Sequence, residues 1–235
     1  MTQAVILAGG FGSRLRSVVS RVPKPMAPLR GKPFLSYLLE DLYQQRKIRE
    51  ILFSVHYKHE MISSYFGSDY KGIGLKYVVE ETPLGTGGAL KNCEHHLHSD
   101  APFFVLNSDS FLRLSYEQMY LSHAESRSLI TLAVKRMPSC SRYGRVLFDE
   151  KKRALSFTPS GDEQEGYINA GVYLLEPALL REFPSGPFSF EKDFLQKRVK
   201  DFLPNLVFSE GYFIDIGIPE DYARASEEYE KLLSR

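Results

Sequence analysis

A glycine-rich segment close to the start of the chain has the composition of a phosphate-binding loop. It reads Leu7-Ala8-Gly9-Gly10-Phe11-Gly12-Ser13-Arg14-Leu15 and follows the first apolar run. Glycines let backbone N–H groups approach phosphate oxygens closely, and Arg14 adds a planar set of donors. No Gly-Lys-Ser/Thr ending is present, and Leu15 stands where a dinucleotide fingerprint needs its third glycine. The segment therefore predicts a polyphosphate loop of another kind, with a simple tight turn as the alternative.

A lysine between two prolines, in Pro23-Lys24-Pro25, is the second candidate for chemistry. Prolines on either side restrict the backbone and so limit where the ammonium can point. Residues 1–39 contain six basic and no acidic side chains, whereas the remainder holds 24 of the 30 basic and all 29 acidic ones. The formal net charge of +1 is thus the sum of a +6 segment and a −5 remainder. A compact cationic segment predicts an anionic ligand, and the glycines favour a polyphosphate over nucleic acid or a membrane surface.

The elements that must position these residues alternate between strands and helices. Apolar runs at 4–8, 51–55, 75–79 and 103–106 predict strands, and the helical pattern of 34–42 predicts a helix between the first two. This alternation is typical of an α/β fold, a three-layer sandwich with a mostly parallel sheet between helices. Ligands bind such sheets at the carboxyl ends of the strands, where the glycine loop and the segment Asn107-Ser108-Asp109 are expected.

The second half of the chain is predicted to be richer in strands. Candidate strands lie at 129–134, 145–148 and 167–175, an exposed loop is predicted at 159–166, and a helix is predicted from Pro219 to Leu233. With 235 residues we expect one domain, with a first half (1–125) that contains the glycine loop and a second half (126–235) that ends in the C-terminal helix.

The overall composition is that of a globular protein. Hydrophobic residues make up 43% and charged residues 25% of the chain, no apolar run is long enough to span a membrane, and no leader is visible at the N-terminus. Two cysteines, Cys93 and Cys140, are too few for a disulfide framework. We expect a cytoplasmic protein with no membrane or nucleic-acid partner, and a homo-oligomer is compatible with the sequence.

Five segments together resemble the sugar-1-phosphate nucleotidyltransferases, and the likeness extends over nearly the whole chain. They are the glycine loop with Arg14, the Pro-Lys-Pro motif, the segment Glu81-Thr82-Pro83-Leu84-Gly85-Thr86-Gly87-Gly88, which resembles the family's nucleotide-base loop and is called the base loop below, and the two aspartate segments Asn107-Ser108-Asp109 and Phe213-Ile214-Asp215-Ile216-Gly217. The resemblance implies a nucleotide-binding half (1–125) and a sugar-binding half with the C-terminal helix (126–235). The resemblance implies a Rossmann-like fold of the glycosyltransferase-A type and a reaction between a nucleoside triphosphate and a sugar 1-phosphate. Within the family, several segments are most similar to heptose 1-phosphate guanylyltransferases.

The resemblance also implies roles for individual residues. Arg14 and Lys24 would contact phosphates, and Asp109 and Asp215 would bind Mg²⁺; a helix cap and a turn residue are the respective alternatives for the aspartates. The implied nucleotide-binding residues are Leu7, Ala8, Gly9, Gly10, Gly12, Ser13, Glu81, Gly85, Thr86 and Gly87. A glutamate accepts hydrogen bonds from the N1–H and amino groups of guanine, so Glu81 favours GTP over other triphosphates, although it can equally be a surface residue.

The implied sugar-binding residues are Tyr143, Gly144 and Asn169, of which Asn169 can equally satisfy a buried turn. Many relatives carry a Glu-Lys pair where this chain reads Phe157-Thr158-Pro159-Ser160, and Lys192 is a possible substitute for that lysine. Ser108 replaces a small glycine and is expected to crowd the sugar or the metal. The reaction class leaves mannose 1-phosphate guanylyltransferase and uridylyl- or thymidylyltransferases open as alternatives. A non-catalytic nucleotide-sugar-binding regulator is the alternative of another class.

Overall fold

A computed structural model of the chain describes residues 2–161 and 163–233. Its strands are β1 (Thr2–Ala8), β2 (Pro28–Leu29), β3 (Lys32–Pro33), β4 (Ile48–Val55), β5 (Asp69–Tyr70), β6 (Ile73–Val79), β7 (Phe103–Asn107), β8 (Ser110–Leu112), β9 (Ile130–Met137), β10 (Val146–Phe148), β11 (Ala154–Phe157), β12 (Gly166–Leu175), β13 (Asn205–Ser209) and β14 (Phe213–Asp215). Strands therefore continue through both halves of the chain.

Helices connect and cover these strands. They are α1 (Phe34–Gln45), α2 (His59–Phe66), α3 (Gly85–Asn92), α4 (Tyr116–Ser126), α5 (Gln196–Phe202), α6 (Pro219–Glu227) and α7 (Tyr229–Leu233). Short 3₁₀ turns lie at Ser13–Leu15, Lys24–Met26, Glu94–His96 and Pro177–Glu182, and a π-helical turn lies at Phe190–Leu195. None of the described helices is both long and apolar enough to cross a bilayer.

Eight strands form the central sheet, in the order β13-β9-β12-β7-β1-β4-β6-β5. The neighbours β7, β1, β4 and β6 are all parallel, β9 and β13 are parallel to each other, and β12 and β5 are antiparallel to their neighbours. The predicted mostly parallel mixed sheet is thus confirmed. The chain leaves β1 toward β4 and β6 and returns to β7 on the other side of β1, so the order reverses at the carboxyl ends of β1 and β7. Such a switch point opens a crevice for a ligand.

Two apolar layers sandwich the sheet. Alternate residues of β1 enter opposite layers: Ala4 and Ile6 pack with α1, whereas Val5 packs on the other face with Leu90 of α3. The predicted helical face of α1, namely Phe34, Leu35, Leu38, Leu39 and Leu42, is buried to 2% exposure or less. The three-layer arrangement predicted from the alternating pattern is therefore present.

Several elements differ from the predicted ones. The C-terminal helix breaks at Glu228, whose backbone leaves helical geometry while its carboxylate accepts a hydrogen bond from Tyr212 at 2.9 Å. Strands β8 and β14 were not predicted as elements of a ladder, because three residues are too few to show a periodic pattern. They pair antiparallel, with Asp215 opposite Ser110. This small ladder carries the end of the chain to the edge of the sheet where β7 stops.

Candidate functional site

A cavity of about 440 Å³ opens at the carboxyl edge of the sheet, above β1, β6 and β7. Its size is in the range of small-molecule sites. Eleven of the residues expected from the sequence line it: Leu7, Ala8, Gly9, Gly10, Gly12, Ser13, Arg14, Lys24, Gly85, Thr86 and Asp109. The structure thus brings together the glycine loop, the Pro-Lys-Pro lysine, the start of the base loop and one of the two aspartates.

The glycine loop packs too tightly for side chains at two positions. A Cβ on Gly9 would lie 2.7 Å from Oε1 of Glu80, and one on Gly12 would lie 3.0 Å from the Cβ of Lys24. Gly12 also has a φ of 61°, a left-handed conformation that glycine adopts without strain. Arg14 is exposed at the cavity and has no hydrogen bond or ion pair with any described residue. Its guanidinium is therefore available to an anionic ligand.

Lys24 and Asp109 form an ion pair at the floor of the cavity. The ammonium group is largely buried, with 10% of the side chain exposed, and the carboxylate is one-third exposed. Lys24 is the first residue of a 3₁₀ turn, and Pro23, which has an extended backbone, precedes that turn as its cap. The prolines thus hold one cation against the residue that ends the β7 segment.

Asp215 joins this pair through the short ladder between β8 and β14. The backbone N–H of Ile216 donates to the carbonyl oxygen of Asp109 at 2.9 Å, which fixes the two segments side by side. Burial raises the pKa of Asp215, and the negative charge of Asp109 raises it further, while Lys24 and Arg142 oppose this rise. The two carboxylates are therefore close enough to repel each other.

The pair of carboxylates fits a divalent cation. Mg²⁺ is commonly held in proteins by one or two carboxylates, with waters and substrate phosphates as its other ligands. Within residues 2–161 and 163–233, no cluster of three or more His, Cys, Asp or Glu side chains offers an all-protein site. The donor set of Asp109 and Asp215 therefore suits a divalent cation that takes its other ligands from outside the protein.

Glu80, and not the predicted Glu81, is the glutamate that lines the cavity. Glu81 is exposed and lies outside the lining, whereas Glu80 is 5% exposed. One carboxylate oxygen of Glu80 accepts from the hydroxyl of Ser54 at 2.9 Å, and the other accepts from the backbone N–H of Leu84 at 3.0 Å. These donors fix the carboxylate of Glu80 in the wall of the cavity, whereas the predicted Glu81 lies outside it.

The base loop is held against the second half of the chain. Gly85 and Thr86 line the cavity, but Gly87 packs on the ring of Phe188 and donates its N–H to the Phe188 carbonyl at 2.9 Å. The hydroxyl of Thr86 donates to Glu191 at 2.6 Å and accepts from the N–H of Phe190 at 2.8 Å. Gly87 thus supports the loop rather than facing the cavity.

The four predicted sugar-binding residues lie outside the cavity lining. Tyr143 packs against Phe213 beside Asp215, and burial raises the pKa of its hydroxyl to about 12. Asn169 donates to the hydroxyl of Tyr173 at 2.8 Å and accepts from the N–H of Gly171 at 3.1 Å, so both ends of its amide are engaged within the chain.

The remaining two predicted sugar residues and the two departures from the family pattern have structural partners or lie at the surface. Lys192 is exposed on the π-helical turn. Gly144, with a φ of 74°, packs on the carbonyl of Thr158, whose hydroxyl accepts from the N–H of Arg145 at 2.7 Å. Ser108 turns its hydroxyl to the carbonyl of Leu7 at 2.6 Å, so it ties β7 to β1.

Comparison with known proteins assigns this architecture to a family. The family model described as nucleotidyl transferase matches residues 3–232, which is nearly the whole chain. The chain belongs to the nucleotidyl transferase family.

Members of the nucleotidyl transferase family with named activities are similar to the chain over almost their full length. The D-glycero-α-D-manno-heptose 1-phosphate guanylyltransferase of Aneurinibacillus thermoaerophilus is 43% identical over 230 residues, covering 96% of this chain and 97% of the relative. The enzyme of the same name from Campylobacter jejuni is 41% identical over 221 residues, covering 94% and 96%. The crystal structure of HddC from Yersinia pseudotuberculosis has a TM-score of 0.87 and 36% identity, and covers 97% of this chain and 100% of its own. HddC has also been solved in complex with GMP-PN.

Three charged residues of this nucleotidyl transferase site, namely Arg142, Asp221 and Glu80, were not predicted. Arg142 donates to Asp215 at 3.2 Å and forms an ion pair with Asp221. Arg142 and Asp221 lie far apart in the sequence, and no local pattern signals a contact between them. The sequence carries no signal that separates Glu80 from Glu81, because the preceding run Tyr77-Val78-Val79 shows no alternation of apolar and polar residues; only the burial of Glu80 in the structure distinguishes the two.

Proposed function

We propose that this nucleotidyltransferase condenses GTP with D-glycero-α-D-manno-heptose 1-phosphate to form GDP-heptose and pyrophosphate. The observation that carries the proposal is a fixed carboxylate, Glu80, at the nucleotide side of a cavity whose other side holds Arg14, Lys24 and Asp109. The similarity to heptose 1-phosphate guanylyltransferases, over nearly all of both chains, supports the choice of sugar.

The base preference follows from the donors and acceptors that a glutamate can match. A carboxylate is an acceptor, and guanine presents two adjacent donors, N1–H and the 2-amino group. Uracil and thymine present a single donor between two acceptors, and adenine presents a donor beside an acceptor. Each oxygen of Glu80 takes one hydrogen bond from the protein and keeps a lone pair for the base. GTP is therefore the triphosphate that this site is expected to select.

In the proposed reaction, a phosphate oxygen of the sugar 1-phosphate attacks the α-phosphorus of GTP. The bond from the α-phosphorus to the bridging oxygen breaks, and pyrophosphate leaves with its electron pair. The nucleophile is already an anion, so no general base is required, and catalysis consists of positioning and charge neutralisation. Arg14, which is free of partners within the described chain, would bind the departing pyrophosphate, and Lys24 would bind the phosphate at the reacting centre.

The two aspartates are assigned to the metal in this proposal. Mg²⁺ held by Asp109 and Asp215 would supply positive charge to the phosphates and help to align them. Lys24 would hold the carboxylate of Asp109 in the orientation for that task. Because the nucleotide and sugar phosphate are intracellular metabolites, we place the enzyme in the cytoplasm.

The decisive experiment is a matrix of substrates. The purified protein would be incubated with GTP, ATP, UTP, CTP or dTTP, each combined with heptose, mannose or glucose 1-phosphate, and pyrophosphate release would be measured. We expect the highest kcat/KM with GTP and D-glycero-α-D-manno-heptose 1-phosphate. A higher value with mannose 1-phosphate would reassign the sugar, and a preference for UTP or dTTP would refute the assignment of Glu80.

The same experiment separates an enzyme from a non-catalytic regulator. A regulator would bind GTP or GDP-heptose, measured by isothermal titration calorimetry, without releasing pyrophosphate from any pair of substrates. The presence of Arg14, Lys24, Asp109 and Asp215 around one space supports an enzyme, because a binding protein has no chemical need of two repelling carboxylates.

A further inference from the structure

Arg142 lies at the centre of a charged cluster that the proposed reaction has not yet used. One terminal nitrogen of its guanidinium donates to Oδ2 of Asp215 at 3.2 Å, and the other pairs with Asp221, which also binds Arg224 at 2.8 Å. The plane of the guanidinium is further supported by the ring of Tyr143, at 4.9 Å from its centre. Arg142 is therefore held from three sides, with 27% of its side chain still exposed.

The guanidinium faces the same small space as the reacting groups. Gly217 lines the cavity, and a Cβ built on it would lie 2.7 Å from Oδ1 of Asp215, 3.2 Å from Nζ of Lys24 and 3.3 Å from a terminal nitrogen of Arg142. The missing side chain at Gly217 thus leaves a gap onto which two cations and a carboxylate converge. Lys24 reaches this gap from the glycine-loop half of the chain and Arg142 reaches it from the second half.

The charged side chains of this cluster balance one another and leave no net positive charge for an incoming phosphate. Lys24, Arg142 and Arg224 balance Asp109, Asp215 and Asp221, so the cluster is neutral before any ligand binds. A sugar 1-phosphate brings close to two negative charges at neutral pH and must approach an α-phosphate that is itself negative. A cation on the incoming side is needed to offset that repulsion, and Arg142 is placed there.

We propose that Arg142 binds the phosphate of the sugar 1-phosphate, and that Asp221 is the positioning residue that holds its guanidinium. This inference rests on the proposed function. Asp215 would bind Mg²⁺, and the terminal nitrogen of Arg142 that contacts Asp215 would donate to a phosphate oxygen when the sugar 1-phosphate is bound. Guanidinium groups suit this task because their donors match the spacing of phosphate oxygens.

Lys192, the substitute expected from the sequence, is less well placed. Neither Lys192 nor Arg142 is among the residues that line the cavity, but Lys192 is exposed and has no described contact with Lys24, Asp215 or Gly217. Arg142 instead touches Asp215 directly. Mutation can therefore decide whether Arg142 or Lys192 binds the phosphate of the sugar 1-phosphate.

The test compares Arg142→Gln and Arg142→Lys with the wild type, with Lys192→Gln, and with the control Arg136→Gln. Arg136 is an exposed arginine of β9 that forms an ion pair with Glu165.

Initial rates would give separate KM values for D-glycero-α-D-manno-heptose 1-phosphate and for GTP, and the Mg²⁺ concentration that gives half-maximal rate. Calorimetry would measure binding of the heptose 1-phosphate in the presence of Mg²⁺ and α,β-methylene GTP, which cannot transfer its α-phosphate. Thermal unfolding would verify that each variant is folded.

For Arg142→Gln we expect the KM and the Kd for the heptose 1-phosphate to rise on the order of 10- to 100-fold, as expected for the loss of a charged hydrogen bond. The KM for GTP and the Mg²⁺ requirement should change little. Arg142→Lys should recover part of the loss, and Arg136→Gln should behave as the wild type.

Three results would overturn the inference. One is an unchanged KM for the sugar phosphate in Arg142→Gln; a second is a large change confined to the Mg²⁺ requirement, which would limit Arg142 to holding Asp215. The third is a loss of sugar-phosphate binding in Lys192→Gln alone. A wild-type protein that turns over no sugar 1-phosphate would instead refute the proposed function, and that outcome is distinguishable because it precedes any mutation.

Discussion

At the scale of residues, the site is shaped by two carboxylates that the fold keeps close in spite of their repulsion. Asp215 is buried beside Asp109, and its pKa is raised by burial first and by Asp109 second. Lys24 and Arg142 offset part of this repulsion, each through one of the aspartates. Such a pair gains most when a divalent cation binds between its members, which is the physical argument for a metal role of both residues.

We therefore expect Asp109→Asn and Asp215→Asn each to lower the rate of pyrophosphate release by on the order of 100-fold or more, because the phosphates lose electrostatic stabilisation in the transition state. Asp100→Asn is a suitable control, since Asp100 is exposed in a turn ahead of β7, at the opposite edge of the sheet. Chelation of divalent ions should stop the wild-type reaction, and added Mg²⁺ should restore it. Full activity of either aspartate variant would contradict the metal role.

The neighbours Glu80 and Glu81 allow a second test at this scale. Glu80→Gln replaces one acceptor oxygen by an amide that donates, so it should raise the KM for GTP about tenfold or more and reduce the preference for GTP over ITP, which lacks the 2-amino group. Glu81→Gln should leave both quantities unchanged, because Glu81 is exposed outside the cavity. The reverse pattern, measured by initial rates with both nucleotides, would return the role to Glu81.

Ser54 adds a finer version of the same test. Its hydroxyl is fully buried and donates to Glu80, and Cys93, whose thiol has its pKa raised to about 12 by burial, lies behind it. Ser54→Ala should therefore weaken the selection of GTP over ITP while leaving kcat close to that of the wild type. Thermal unfolding of the variant separates this effect from a general loss of structure.

At the scale of elements, the ladder between β8 and β14 is required to bring the residues of the site together. It has three residue pairs, yet it brings Asp215 and Gly217 to the end of the β7 segment. Asp215 Oδ1 accepts the N–H of Gly217 at 2.6 Å, so the turn after β14 orients the carboxylate directly. A side chain at residue 217 would therefore disturb the site without disturbing the core.

Gly217→Ala tests this arrangement. Its new methyl group would lie 2.7 Å from Oδ1 of Asp215, too close for the carboxylate to keep its place. We expect at least a tenfold loss of kcat/KM with little change in the unfolding temperature. Gly74→Ala is the matched control, since the nearest atom to its Cβ would be the carbonyl oxygen of Arg49 at 3.9 Å. Equal activities of the two variants would contradict the role of the turn.

Sequence patterns predicted some of these elements and not others, for identifiable reasons. The long strands and α1 carry strong periodicity, so β1, β4, β6 and β7 were predicted close to their observed positions. The glycine loop and Lys24 were found because glycine and proline act on the local backbone. The ladder of β8 and β14 and the contact of Arg142 with Asp221 depend on residues distant in the chain. Glu80 was missed in favour of its neighbour because the preceding run Tyr77-Val78-Val79 shows no alternation of apolar and polar residues.

At the scale of the whole molecule, the C-terminal segment is held against the first half of the chain by an ion pair and hydrogen bonds. Arg113, which follows β8, forms an ion pair with Asp41 of α1 and donates to the carbonyl oxygen of Leu232 at 2.9 Å. Arg30 adds a second link, to the carbonyl of Ser226 at 3.2 Å. Since α6 also carries Asp221, these links help to keep the partner of Arg142 in position.

Asp41 gives this region a pH dependence. Burial raises its pKa from 3.8 to about 6, against the opposing effects of Arg113 and Gln45. The folded state therefore binds a proton at Asp41 more tightly than the unfolded state, and this binding adds to the free energy of unfolding. The added free energy is complete below about pH 4 and is lost as the pH rises through 6. Asp41→Asn should thus gain stability relative to the wild type between pH 4.5 and pH 8, by on the order of 2 kcal/mol. Urea unfolding at several pH values measures this difference, and a constant difference would contradict the assignment.

The pairing of Lys24 with Asp109 and of Arg142 with Asp215 also has a consequence for the order in which substrates bind. A free metal ion arriving first would have to displace the ammonium of Lys24 from Asp109 and the guanidinium of Arg142 from Asp215, with no phosphate present to receive the ammonium. GTP that arrives with its metal would offer phosphate oxygens to Lys24 at the same moment, while Arg142 keeps its ion pair with Asp221 until the sugar phosphate binds. We therefore expect a compulsory sequence in which the GTP–metal complex binds first and the sugar 1-phosphate second. Pyrophosphate would then be the first product to leave, and GDP-heptose would compete with GTP for the free enzyme.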